Sequence, residues 1–537
     1  MNSSEFHTPN RTIRQDLLGS TCLAGRAMGL IPALLALGVV GAGIAHAGPP
    51  APTQLPTGGQ VVGGSASIAQ AGATMNINQS SQRAIINWQT FNVGSAATVN
   101  FNQPSAGSVT LNRVLDSNPS QIYGHINATG QVFFTNPNGV YFSPSSSVDV
   151  GGLVATTHGI SDDDFMASRN NFTRDGATGS IVNDGNLRAR LGGYIALLAP
   201  EVRNQGVIVA QLGTVALAAG ETYELQFNGN NTLANIRVTP ATIRALVENK
   251  RAVQAPGGLI ILSAQAVDRL QGGVVNNTGT LEATGLVSDG GRIVLEASDT
   301  INQAGALKAD AAPNSTGNGG TVRVIADLLN PDSRTQFDGT ISARGGNQGG
   351  DGGHVETSAS NLRVGNTARV DTRAPNGNAG TWLLDPTNFT ISSGSTAQSA
   401  SGIGALALET ALGSGNVTIT TSSAANGSDL GDINVNADVM WSANKLTLNA
   451  ANNININARM TVAGTSQLTL VPGGSGNVLV GLSPDGGFIG SVDIPWRSGT
   501  GIITIGVVGY TVINSLGSAG STTGTDLQGM NGACLSG

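Results

Sequence analysis

The chain is poor in cysteine, in charge and in aromatic residues. Its 537 residues include two cysteines, Cys22 and Cys534, so a chain that loses its first residues has no partner for an internal disulfide. Charged residues make up 11% and aromatic residues 4%. With so little charge and so much Gly, Asn, Ser and Thr, the composition argues against a helical protein. Val, Ile and Leu recur in small groups, which argues against ordinary disorder as well. The net charge is −7, with no basic block, and nothing points to nucleic acid as a partner. Five histidines, at 7, 46, 125, 158 and 354, show no His-x-x-x-His or His–Cys spacing that would suit a metal. Beyond the amino-terminal region no apolar run is long enough to span a bilayer.

What is present begins with an export signal. Arg11, Arg14 and Arg26 precede an apolar stretch from Ala27 to Ile44, and Ala45-His46-Ala47 forms an A-x-A cleavage site. Residues 1–47 are therefore expected to be removed, leaving a chain of charge −8 with no transmembrane segment and only Cys534.

The rest is repetitive. Asn183-Asp184-Gly185 and Asn204-Gln205-Gly206 lie 21 residues apart. Glycine pairs at Gly257, Gly290, Gly319 and Gly352 follow at intervals of 33, 29 and 33, each leading into a short apolar phrase. Between them runs a second phrase, Thr280-Leu281-Glu282, Ala306-Leu307-Lys308 and Thr340-Ile341-Ser342. Two short strands per repeat at a period of 20–35 residues is the mark of a solenoid. A right-handed parallel β-helix fits, all-β, with an amino-terminal capping region. Its thin interior favours Val, Ile, Leu and Ala over rings. After Asp385-Pro386 the pattern becomes strict alternation, as in Asp432-Ile433-Asn434-Val435-Asn436 and Asn453-Ile454-Asn455-Ile456-Asn457. Stacked in register, such asparagines can form ladders between coils. A small helical insertion is expected at Thr239–Asn249, where Pro240 suits a first turn and Ile243, Leu246 and Val247 share a face. Ala264 to Leu270 could be a second one.

The stretch Gln131 to Thr157 stands apart. The apolar run Val132-Phe133-Phe134 leads into Asn136-Pro137-Asn138-Gly139. Pro137 presets φ at the second turn position, Asn136 can bond back to the backbone, and Gly139 suits the exit. Val148 to Val154 follows, broken by Gly151-Gly152. This wording resembles the two-partner secretion domain of filamentous haemagglutinin-like exoproteins. The resemblance extends to Ile85–Gly94, Leu111-Asn112-Arg113-Val114 and Ile160–Phe165. It implies an exoprotein of a Gram-negative bacterium, secreted or held at the cell surface after Sec-dependent export. The expected partners are a cognate outer-membrane β-barrel transporter and a host-cell glycan or protein receptor. Asn136, Pro137, Asn138 and Gly139 would belong to the transporter-recognition region, with Pro137 and Gly139 read chiefly as turn formers.

The expected organisation is a signal (1–47), a secretion domain (48–300), β-helix repeats (301–386), an Asn/Thr-rich extension (387–514) and a frayed tail (515–537). Asp162-Asp163-Asp164 could offer carboxylates to Ca²⁺, but lacks the ligand spacing of a calcium loop, and a solvated loop is the preferred reading. Charges are too scattered for a glycan-cleaving site, so no enzymatic activity and no cofactor are expected. The alternatives are a β-helical carbohydrate-active enzyme and the stem of a contact-dependent toxin. Cys534 has no evident role.

Overall fold

The computed structural model describes residues 48–529, apart from 230–231, 268–271, 395–400, 424–428, 496, 514, 523 and 525. The expected signal and Cys534 lie outside the described residues. From the first coils onward the chain winds as a right-handed parallel β-helix. A coil holds three strands, for example Ala245–Asn249, Ala252–Gln254 and Leu259–Ala264, and each pairs in parallel with its counterpart one coil on. Leu259, Arg292, Thr321 and His354 are successive register partners, so the glycine intervals are coil lengths. Thr280, Ala306 and Thr340 are likewise in register. A further strand between these two phrases, such as Gly273–Asn277, completes the third face.

Stacking generates the core. Ile260, Ile293, Val322, Val355, Trp382, Val417 and Leu446 point inward one above another and are almost wholly inaccessible. A buried polar file runs beside them. The Asn183 amide donates to Asn204 (2.8 Å), Asn204 to Asn249 (2.8 Å), Asn249 to Asn277 (2.7 Å) and Asn277 to Gln303 (2.8 Å). Each interior amide donates upward and accepts from below, so burial leaves no member unmatched. The predicted ladders of the later coils also form, with Asn455 donating to Asn434 at 2.8 Å and Asn457 to Asn436 at 2.9 Å.

Both ends are closed by antiparallel pairs. Gln60–Gly63 lies against Arg83–Trp88, and Ala66–Ala71 against Thr74–Gln79. At the other end Gly499–Ile505 pairs with Val508–Val512. Such hairpins blunt edges that would otherwise template pairing with another chain. Parallel pairing continues through residues 300 and 386, with Arg292–Ala297 on Thr321–Ala326 and Thr381–Asp385 on Asn416–Thr420. Beyond 515, Leu527 and Gln528 donate to the carbonyls of Ser515 and Leu516.

The expected helix at 239–249 is not one. Leu233–Thr239 and Ala245–Asn249 are strands. Ala245–Asn249 lies between Glu201–Asn204 and Gly273–Asn277 in the sheet, and a helix there would leave both neighbours' backbones unpaired and remove Asn249 from the ladder. Tertiary pairing overrides local periodicity. The second expected helix fails too: Leu259–Ala264 is a strand and Ala266 bridges to Ala241, while residues 268–270 lie outside the described residues. Among the described residues the longer helices are α1, Asp162–Met166, and α2, Ala405–Leu412. None in the described residues is long and apolar enough to cross a membrane.

Replacing Asn249 by Ala strands a buried donor on Asn204 and a buried acceptor on Asn277. We expect a loss of about 2–4 kcal/mol. The exposed rung Asn457→Ala should cost less than about 1 kcal/mol. Hydrogen exchange of the flanking strand amides measures both, and equal effects would refute the assigned burial.

Candidate recognition site

The stretch around Asn136 is built on a strand buried on both faces. In Gln131–Thr135, Val132 and Phe134 enter the solenoid core, where Phe134 meets Phe91 edge-on at 4.8 Å. Phe133 points outward, yet it is 1% exposed. A second core covers it. Phe165 of α1 and Phe172 stand 5.9 and 6.0 Å from its ring. Asn171–Thr173, Thr222–Phe227 and Leu233–Thr239 form a small antiparallel sheet outside the helix, and Tyr223, Leu225 and Ile236 join Tyr194, Ala196, Ala216 and Ala218 in this core.

Two-sided burial explains the unbroken run Leu153-Val154-Ala155. Ser147–Thr156 turns a corner: its first half pairs with His125–Ala128 and its second with Gln131–Thr135. The glycines sit at the bend, where a Cβ on Gly151 would lie 2.7 Å from the Gly130 carbonyl, and one on Gly152 would lie 2.7 Å from the Tyr194 ring.

Asn136 to Gly139 closes a turn, with the Gly139 amide donating to the Asn136 carbonyl at 3.0 Å. The Asn136 side chain is fully buried. Its amide nitrogen donates to Ser120 Oγ (2.9 Å) and the Asn118 carbonyl (3.0 Å), and its Oδ1 accepts from the Asn138 backbone (3.0 Å). Gly139 has φ +112°, and a Cβ there would meet the Ser180 carbonyl at 2.6 Å. Asn136 and Gly139 are thus the base of the turn, whereas Pro137 and Asn138 are exposed at its tip. Asn138 Nδ2 donates to the Asp116 carbonyl at 2.8 Å.

The scattered motifs converge here. Trp88 Nε1 donates to Asn112 Oδ1 at 3.0 Å, and Asn112 donates to the Phe133 carbonyl at 3.3 Å. Arg113 binds Asp162 at 2.6 Å and the Ile160 carbonyl at 3.0 Å. The acidic run is largely solvent-exposed, as expected, but it is the first turn of α1, capped by Ser161, rather than a loop. Carboxylates there suit the helix dipole, and Arg169 at 2.6 Å holds Asp164 below the usual carboxylate range. The sequence reading missed the outer sheet, whose signal is the alternation Tyr223-Glu224-Leu225-Gln226-Phe227. It also missed Arg83, which lies 4.1 Å over the Phe165 ring.

Comparison with known proteins agrees with this geometry. Residues 53–309 match the family model of the TPS secretion domain. The chain carries a two-partner secretion domain over these residues. It is similar to a heme/hemopexin-binding protein of Haemophilus influenzae (strain ATCC 51907 / DSM 11121 / KW20 / Rd), 31% identical over 265 residues, covering 48% of this chain and 29% of that protein. A second heme/hemopexin-binding protein of Haemophilus influenzae is 30% identical over 258 residues, covering 44% and 27%. The chain spans under a third of the length of these curated relatives. In fold it is similar to the HMW1 secretion domain from Haemophilus influenzae, at TM-score 0.56 and 21% identity, over 77% of this chain and all of that one.

The secretion domain also buries a histidine. His158 Nε2 lies 3.1 Å from the Gly220 carbonyl, which can only accept, so Nε2 carries the proton and Nδ1 accepts from Thr157 Oγ1 at 3.2 Å. Burial pushes its pKa down to about 4, and nearby Arg174 acts in the same direction. The unfolded state takes up its proton as the pH falls below about 6.5, whereas the folded state resists until about 4. His158 therefore withdraws stability as the pH falls through this window and is neutral in effect at pH 7 and above. Relative to His158→Gln, the wild type should lose up to roughly 3 kcal/mol between these limits. Urea denaturation of both proteins from pH 7 to pH 4 checks this, and a pH-independent difference would refute it.

Proposed function

We propose that this exoprotein is led across the inner membrane by residues 1–47 in a Sec-dependent step, and across the outer membrane by a cognate β-barrel transporter that reads the secretion domain. Outside it acts as a surface adhesin without enzymatic activity, secreted or cell-associated, on a host-cell glycan or protein receptor. The supporting observation is the Asn136–Gly139 turn, a two-residue exposed tip on a base locked by buried hydrogen bonds. A protruding, preorganised tip costs little ordering on binding. The β-helix suits such a route, since each coil that emerges has a template in the one before. The segment shared with the heme/hemopexin-binding proteins is about as long as one secretion domain, so that likeness supports the export route rather than a ligand.

The base and the tip make different predictions. With the transporter co-expressed, Asn138→Ala should reduce export about fivefold or more and leave the melting temperature unchanged, because it removes little beyond a surface hydrogen bond. Asn136→Ala should lower the melting temperature, since it leaves buried groups unpaired. Undiminished export of both Pro137→Ala and Asn138→Ala, measured by immunoblot of the medium, would overturn the assignment of the tip.

A further inference from the structure

We propose that a groove of about 910 Å³ along four successive coils binds a linear, neutral oligosaccharide, an inference that rests on the adhesin reading and gives it a site. Glu282, Lys308, Ser342 and Asp371 are register partners on one face of the solenoid, one per coil. Beside them stand Asp310, Arg344 and Arg373. Asp310 accepts from the Arg344 guanidinium and from its backbone amide, both at 2.8 Å, and from Ser342 Oγ at 3.1 Å. Asp371 holds Arg373 through both carboxylate oxygens, at 2.9 and 2.6 Å. The two arginines are still 51% and 61% exposed, so they are fixed in place yet open to a ligand.

The loops that bring Pro313, Asn347 and Gly377 to the groove are also tied to one another. Loops of successive coils stack through Asn318 donating to Asp289 (2.7 Å), Asp351 to Asn318 (2.8 Å) and Asn378 to Asp351 (2.7 Å), in each case a backbone amide to a side-chain oxygen.

The chemistry selects the ligand. Glu282 and Asp310 line the groove with Lys308, Arg344 and Arg373, and Asp371, outside the lining, neutralises Arg373 at 2.6 Å, so the groove offers little net charge to attract a polyanion or a polycation. Carboxylate and guanidinium groups each present paired hydrogen-bonding atoms in one plane, which match the adjacent hydroxyls of a pyranose. Rungs about 4.8 Å apart repeat at close to the advance of one β-linked sugar, so each coil would address one residue. Because these polar pairs are already ordered, binding need not freeze them.

The test is calorimetry of the purified full chain with cellotetraose, chitotetraose and a heparin-derived tetrasaccharide. We expect a neutral tetrasaccharide to bind in the millimolar range or tighter. Arg373→Gln should weaken it by about tenfold or more, because a charge-assisted pair is lost. Ala374→Trp should abolish it by filling the groove, and both variants should keep the wild-type melting temperature. Absence of binding by either neutral sugar overturns the proposal. So does preference for the heparin fragment, or unchanged binding by Arg373→Gln. Attachment to host cells is scored separately: sugar binding without attachment defeats the adhesin reading and keeps the groove, and attachment without sugar binding does the reverse.

Discussion

Parallel rung-on-rung pairing is the constraint on which the structure depends. Each coil finds its backbone partners only in the coils above and below, about 4.8 Å away. The inward file Ile260–Ile293–Val322–Val355 follows from that register, because identical positions must stack. So does the scarcity of rings, since a narrow interior repeats one small cross-section. Rings inside cluster in the first coils, at Trp88, Phe91 and Phe134, and recur further along, as at Phe337 and Trp382.

Hydrophobic stacking alone does not choose a register. A slip by one residue would turn every inward side chain outward, but slips by two would keep the apolar alternation intact. The buried file Asn183–Asn204–Asn249–Asn277–Gln303 removes that freedom. A two-residue slip would set an amide opposite an aliphatic chain and leave it unmatched, at a cost of about 1–3 kcal/mol for each buried group. The ladder thus acts as a register key, and it runs through the coils that carry the outer sheet.

Much of this was legible from particular residues. The glycine pairs gave the coil lengths, and the alternating asparagines gave the later ladders. Asn136, Pro137 and Gly139 named their own turn. What was not legible depended on contacts far apart in sequence. Thr239–Asn249 has a helical spacing of apolar residues, yet Leu246 and Val247 pair with Glu201 and Val202 of an earlier coil. The outer sheet was hidden because Thr222–Phe227 and Leu233–Thr239 leave the solenoid and return, which no repeat announces. The separation of base from tip in the turn was hidden as well, since it depends on Asn136 reaching Ser120 and Asn118, 16 and 18 residues earlier in the chain.

The outer sheet gives part of the secretion domain a second packed face that the later coils lack. Its strands cover the outward faces of Tyr194, Ala196, Ala216 and Ala218, so these rungs are packed on two sides. Further along, the same face carries Arg323 and Glu356, an ion pair at 3.1 Å, and then Asp385, pushed up to about 6 by burial and by Glu356. Rungs packed on both faces lose contacts on two sides if they open, and the one-sided rungs lose them on one. Local opening therefore requires more free energy in the rungs under the outer sheet than in the later coils. A rigid leading segment can hold a two-residue tip in a fixed attitude toward a partner, while the simpler coils behind it need only add themselves to the rung before.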